Sequence, residues 1–163
     1  MARVFLGLGS NVGDRLSYLR QSVEALDAVA GVVVHTCSSI YETEPWGQEN
    51  QPSFLNQIIE IYTDLDANVL LQHCRNIEKK LGRKKGNKWG SRIIDLDILL
   101  YGQMTMRTDT LQIPHPQLAN RRFVLEPLAE IDASVIVPEV NKTVDILLKQ
   151  CPDKKAVKLY NAE

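Results

Sequence analysis

At 163 residues, with 44% hydrophobic and 24% charged side chains, the chain carries enough apolar mass for one globular domain spanning 1–163, and its composition excludes a disordered or fibrous protein. A formal charge of -1 excludes the basic excess of general nucleic-acid binders. Cys37, Cys74 and Cys151 are odd in number and far apart, which argues against a disulfide framework or zinc site; no apolar run reaches membrane-spanning length, so a soluble, cytoplasmic protein is expected.

Val4 to Leu8 predicts a short buried strand running into a turn at Gly7-Leu8-Gly9-Ser10-Asn11-Val12-Gly13-Asp14. The glycine spacing fits neither the dinucleotide fingerprint nor the lysine-bearing phosphate loop. Asp14 is placed to cap a helix in which Leu16, Leu19, Val23, Leu26 and Ala30 recur at helical spacing, and Gly31 ends it. The β-branched run from Val32 to Tyr41 predicts one long second strand. Thr43 to Pro52 is polar, holds two prolines and reads as a loop carrying Trp46. Phe54 to Thr63 predicts the third strand, with Phe54 and Asn56 on one face. Asp66 caps a second helix built on Leu70, Cys74, Ile77 and Leu81 and ended by Gly82. Arg75 and Glu78, one turn apart, fit an i,i+3 surface pair more simply than a reach across the sheet edge.

Residues 79 to 92 hold seven basic side chains and no acidic one, a local attractor for a polyanion. Trp89 adds a flat surface for stacking. The strand expected from Trp89 to Tyr101 alternates so that Ile94, Leu96, Ile98 and Leu100 share an apolar face, while Asp95 and Asp97 share the other, about 7 Å apart. Two carboxylates so close call for a cation or hydrogen-bond donors, and the first candidate is magnesium, which takes one or two protein carboxylates and completes its shell with water and phosphate oxygens; the plain alternative is an edge strand whose outer face is solvated. Gly102 to Thr110 predicts a hairpin or loop leading to His115, which Pro114 and Pro116 hold rigid. His35 and His73 share no metal-ligand spacing with it. Asn120-Arg121-Arg122-Phe123 brings charge and an aromatic ring ahead of an apolar helical segment, Val124 to Ile131; Thr143 to Leu148 predicts a short amphipathic helix, and Pro152 to Glu163 no chemistry. The order strand, helix, strand, strand, helix, strand predicts an α+β fold: a ferredoxin-like split βαβ antiparallel sheet with both helices on one face and short C-terminal helical additions.

The segments Gly7-Leu8-Gly9-Ser10-Asn11, Tyr41-Glu42-Thr43-Glu44-Pro45, Gln51 to Asn56, Trp89 to Leu99, Ile113-Pro114-His115-Pro116 and Asn120 to Phe123 together resemble the hydroxymethyl-dihydropterin pyrophosphokinases of folate biosynthesis. The resemblance implies transfer of the β,γ-diphosphate of ATP to the hydroxymethyl oxygen of a reduced pterin, giving AMP. It implies two Mg2+ ions held by Asp95 and Asp97, and a pterin pocket of Thr43, Pro45, Trp46, Phe54, Asn56 and Phe123. Arg83 and Arg92 match the arginines that clamp the phosphates, and Arg75, Glu78, Lys85, Trp89, Ile98, His115 and Arg121 match ATP-contacting positions. The chain departs from a better-known relative at Arg75, Lys85, Lys88, Thr110 and Gln112, and its basic loop is one residue shorter, so the phosphate contact falls to Lys84 or Lys85. The implied partners are small molecules, ATP and the pterin alcohol, bound by a monomer with no nucleic-acid or membrane partner. Two other classes share this topology: metal-dependent nucleotidyl transferases or cyclases, and RNA-binding modules, which the near-neutral charge and the two acids on the binding face disfavour.

Overall fold

A computed structural model describes residues 1–43, 52–82 and 93–161. The described elements, in chain order, begin with β1 (Ala2–Ser10), α1 (Arg15–Asp27), β2 (Val32–Cys37), β3 (Tyr41–Thr43), β4 (Phe54–Thr63), α2 (Ala67–Lys80) and β5 (Asp95–Tyr101). There follow β6 (Met106–Arg107), β7 (Gln112–Ile113), α3 (Arg122–Asp132), β8 (Ile136–Val137), β9 (Lys142–Thr143), α4 (Val144–Gln150) and β10 (Val157–Leu159).

Both helices open where their caps predict and α2 ends next to Gly82, but α1 ends at Asp27, short of Ala30. Asp14 accepts a hydrogen bond from the Ser17 amide to open α1, and Asp66 accepts from the Ala67 amide to open α2. Gly31 and Gly82 stand at φ +88° and +103° past the helix ends, backbone that a side chain would resist. Leu19 and Leu26 of α1 and Leu70, Cys74 and Ile77 of α2 pack on Val4, Leu6, Leu8, Leu55, Ile59, Ile61, Leu96 and Ile98. Each such fully buried aliphatic side chain contributes about 1.5–3 kcal/mol.

The main sheet runs β10-β3-β4-β1-β5, with β2 also paired to β4, and every pairing is antiparallel. Among the described residues no helix is long and apolar enough to cross a membrane.

Three expectations need correction. The strand from Val32 to Tyr41 is broken. The Ser38 amide donates to the Ile58 carbonyl, and the Ser38 hydroxyl accepts from the Ile58 amide while donating to the Ser39 carbonyl, so β2 and β3 pair with β4 in different registers. Serine hydroxyls offer the backbone an alternative to the ladder, which a count of β-branched residues overlooks. Second, the chain does not turn at Gly7. β1 continues through Gly7 and Gly9 to Ser10, and the left-handed residue is Gly13.

Third, the register passes from Leu6 opposite Ile98 to Phe5 opposite Leu100, leaving Leu99 as an extra residue, a β-bulge. The bulge turns Leu100 off the face of Ile94, Leu96 and Ile98 and packs it with Leu99, Phe5 and Ile58. As expected, α1 and α2 share one face; the C-terminal helices, whose side the sequence left open, cover part of the other. Val124, Leu125 and Leu128 of α3 and Val144 and Leu147 of α4 close a second core over Phe5, Ile58, Leu99 and Leu100. The last residues are not inert either, for β10 lies alongside β3.

Candidate active site

α3 covers only the part of its face around Phe5 and Ile58. Towards the other end of the strands the same face, by alternation, carries Tyr41 and Thr43 of β3, Phe54 and Asn56 of β4, Gly7 and Gly9 of β1, and Asp95 and Asp97 of β5. Gly9 pairs with Asp95 and Gly7 with Asp97. β1 therefore separates the acids from the Phe54–Asn56 pair without putting a side chain between them. A Cβ at Gly9 would lie 3.2 Å from Asn56 Oδ1 and 3.6 Å from Phe54 Cδ1. Asn56 and Thr43 are both buried, and Asn56 Nδ2 donates to Thr43 Oγ1 at 2.7 Å, which turns the amide oxygen to the Gly9 side.

Burial first, and the negative charge of Asp95 second, push the Asp97 carboxyl well above the usual carboxylate range, against the pull of Arg75 and Arg121. Among the described residues no third histidine, cysteine or acid completes a metal cluster with this pair. Two hard carboxylates with room for other oxygen donors fit magnesium rather than zinc.

Arg75 and Glu78 hold the acid-bearing strand from α2. The Leu96 amide, between the two aspartates, donates to Glu78 Oε2 at 2.8 Å, and Arg75 Nη1 donates to the Leu96 carbonyl and to Glu78 Oε2, both at 2.9 Å. This corrects the surface-pair expectation: the Glu78 side chain is 3% exposed and spans the sheet edge. Burial works against the Arg75 charge, but Glu78 and Asp97 outweigh it and hold the guanidinium protonated.

Arg75, Asp97, Ile98 and His115 line one cavity of about 280 Å³, together with Thr110 and Gln112. The His115 amide donates to the Leu99 carbonyl, and its Nδ1 accepts from the Gln117 amide at 3.1 Å, so the ring proton sits on Nε2. Burial, then the Arg121 charge, push the imidazole down to about 4 against the pull of Asp95, leaving a neutral donor. Arg121 precedes α3; burial lowers its pKa, and Asp97 and Asp95 oppose that shift. Its guanidinium carbon stands 5.6 Å from the centre of the Phe123 ring.

The structure thus gathers Thr43, Phe54, Asn56, Asp95 and Asp97 on one face, and Arg75, Glu78, Ile98, His115 and Arg121 around the acid strand. Pro45, Trp46, Arg83, Lys84, Lys85, Lys88, Trp89 and Arg92 lie outside the described residues. Sequence reasoning missed Gly9 as the floor beside Asn56 and Phe54, where glycine at alternate positions of an apolar strand was the available signal; Gly7 lies under the Leu99 side chain. It also missed Leu71, Thr108, Asp109 and Leu111, which line the cavity and carry no motif.

The sequence model of 7,8-dihydro-6-hydroxymethylpterin-pyrophosphokinase (HPPK) matches residues 5–133. The 2-amino-4-hydroxy-6-hydroxymethyldihydropteridine pyrophosphokinase of Aquifex aeolicus is 46% identical over 142 residues, 87% of this chain and 88% of the relative. The Bacillus subtilis protein of the same name is 50% identical over 127 residues, 78% of this chain and 76% of the relative. Among solved structures, wild-type HPPK-DHPS of Plasmodium falciparum with pteroate shares the fold at a TM-score of 0.72 and 16% identity, covering 91% of this chain. The chain spans 42% of that longer protein.

Proposed function

Because this chain belongs to the 7,8-dihydro-6-hydroxymethylpterin-pyrophosphokinase family and is an enzyme of that kind, we propose that it transfers the β,γ-diphosphate of ATP to the hydroxymethyl oxygen of 6-hydroxymethyl-7,8-dihydropterin. The products are AMP and the pterin diphosphate, and the chain acts as a single domain of split βαβ topology. The observation that carries the reading is the sheet face on which paired acids lie across Gly9, a position without a side chain, from an aromatic ring and a fixed amide.

Asp95 and Asp97 would hold magnesium, two ions in this reading, which would supply positive charge against the triphosphate. Phe54 and Phe123 stack on the pterin ring and Asn56 presents its amide oxygen to the ring edge, the few fixed polar groups that a flat heterocycle needs. His115 offers Nε2–H without adding charge, and Arg75 and Arg121 offer guanidinium donors to the nucleotide. Pro45, Trp46, Arg83, Lys85, Trp89 and Arg92 take their roles from the sequence resemblance alone. The pterin hydroxyl attacks the β-phosphorus directly and gives up its proton to water, and AMP leaves with the electrons of the broken bond between its oxygen and the β-phosphorus, so catalysis rests on positioning and electrostatics.

Chromatography of ATP, the pterin alcohol and Mg2+ with the protein tests this. AMP and pterin diphosphate in equal amounts are expected, and release of inorganic pyrophosphate would instead indicate nucleotidyl transfer. Asp97→Ala should lose at least roughly 100-fold in kcat, the scale of removing one electrostatic group, while pterin affinity measured by calorimetry holds. Unchanged turnover at saturating magnesium would overturn the metal role.

A further inference from the structure

α3 starts without a side-chain cap from its own N-cap residue, Arg121. The Arg121 carbonyl accepts from the Val124 and Leu125 amides at 3.0 and 3.1 Å, while the Arg122 amide that opens the helix looks outside it for an acceptor. Asp153, 31 residues further along the chain, supplies what is missing. Its Oδ2 accepts from the Arg122 amide at 3.1 Å, and its carbonyl accepts from Arg122 Nε at 3.0 Å. The other carboxylate oxygen accepts from the Lys155 amide at 3.0 Å, which fixes the side chain. Asp153 is 8% exposed, and its anionic group faces the positive end of the helix dipole.

The residues on either side of Arg122 are Arg121 and Phe123, so the point that Asp153 fixes lies between a nucleotide-side cation and a pterin-side ring. Past Lys155 the same segment becomes β10, with Val157 opposite Thr43 and Leu159 opposite Tyr41, and the Tyr160 amide donates to the Ile40 carbonyl at 2.8 Å. Thr43 in turn holds Asn56. One short stretch of chain therefore ties together the start of α3 and the strand that sets the Asn56 amide. It lies beyond residues 5–133, which the family's sequence model covers.

We propose that Asp153 is a positioning residue for substrate binding: by capping α3 from a segment that also pairs with β3, it sets Arg121 and Phe123 relative to Thr43 and Asn56. The proposal rests on the pyrophosphokinase reading above. Asp153→Ala should weaken binding of the pterin alcohol, measured by calorimetry with a non-hydrolysable ATP analogue and Mg2+, by roughly 10- to 100-fold, the scale of misplacing a binding group by about an ångström. At saturating pterin, kcat should fall less than the affinity does. Asp153→Asn, which keeps an acceptor for the Arg122 amide, should restore most of the affinity. Leu19→Ala, a core truncation in α1 on the opposite face, serves as the control and should lower Tm while leaving pterin affinity close to wild type.

Asp153→Ala with wild-type affinity would overturn the proposal, as would Leu19→Ala losing affinity equally. If Asp153→Ala does not fold, Asp153→Glu, whose carboxylate sits one carbon further out, carries the same expectation and the same refutation. Hydrogen exchange of the Arg122 amide, slow in wild type and fast in Asp153→Ala, reads the cap with no substrate present. Wild-type protein that makes no pterin diphosphate but shows this exchange difference would sink the functional reading and leave the cap standing.

Discussion

His115 combines a fixed tautomer with a suppressed charge: the Gln117 amide occupies Nδ1, and burial with Arg121 nearby keeps the ring neutral. An unperturbed histidine titrates near pH 6.5. Between that value and its own of about 4, His115 stays unprotonated while the unfolded chain takes up a proton. Its contribution to stability is therefore fully present above about pH 6.5 and is lost as pH falls toward 4. NMR titration of the native protein should show no inflection for His115 between pH 5.5 and 8, and an inflection near 6.5 would contradict the buried geometry. The two prolines made its rigidity legible in the sequence, but its neutrality depends on Arg121 and the packing around it, which no local pattern encodes. Asp95 and Asp97 were legible for the opposite reason, since alternation in a strand puts residues i and i+2 on one face whatever surrounds them. Glu78 was misread because i,i+3 spacing is the same for a solvent-exposed pair and for one pressed against a strand edge.

Among the elements, β4 has the bounds that its apolar pattern predicts, Phe54 to Thr63, because both of its edges are paired and nothing interrupts the ladder. The stretch from Val32 to Tyr41 did not behave so simply, since Ser38 diverts ladder hydrogen bonds to its hydroxyl. The bulge at Leu99 was likewise invisible in a row of aliphatic residues, any of which could occupy either face. β1 offers the sharpest test at this scale. Gly9→Ala places a Cβ 3.2 Å from Asn56 Oδ1, closer than an ordinary contact, on backbone that alanine adopts freely. Pterin affinity should fall about tenfold, or ~1.4 kcal/mol, because the fixed Asn56 amide must shift to admit the new methyl group. Unchanged affinity in the variant would mean that the pterin does not use the Asn56 side of the sheet.

Across the whole molecule the sheet is filled from both sides, and the thiols report on each side separately. Cys74 lies in the core beneath α1 and α2, and Cys151 in the core of α3 and α4, at 0% and 1% exposure, whereas Cys37 at the end of β2 is exposed. Burial pushes the Cys74 thiol up to about 12, far from the reactive thiolate. A colourimetric thiol reagent should titrate one group per native chain and three after denaturation. More than one fast thiol in the native state would show that one of the two cores is open. The layer of α1 and α2 was readable from helical periodicity. The second layer was not, because α3 and α4 are short and their apolar residues declare a buried face without saying which side of the sheet buries it. The partnership of β10 with β3 joins residues more than a hundred positions apart, beyond the reach of any local signal.

The Arg75–Glu78 clamp on Leu96 has a consequence away from chemistry. β5 is the last strand on its side of the sheet, and its outward groups at Leu96 and Leu99 are taken by α2 side chains and the His115 amide. Exposed strand margins invite a neighbouring molecule to add its own strand, the opening step of aggregation. Here the contacts that steady two aspartates also deny that margin to another chain, so solubility at high concentration and the geometry of the acidic pair depend on the same few hydrogen bonds.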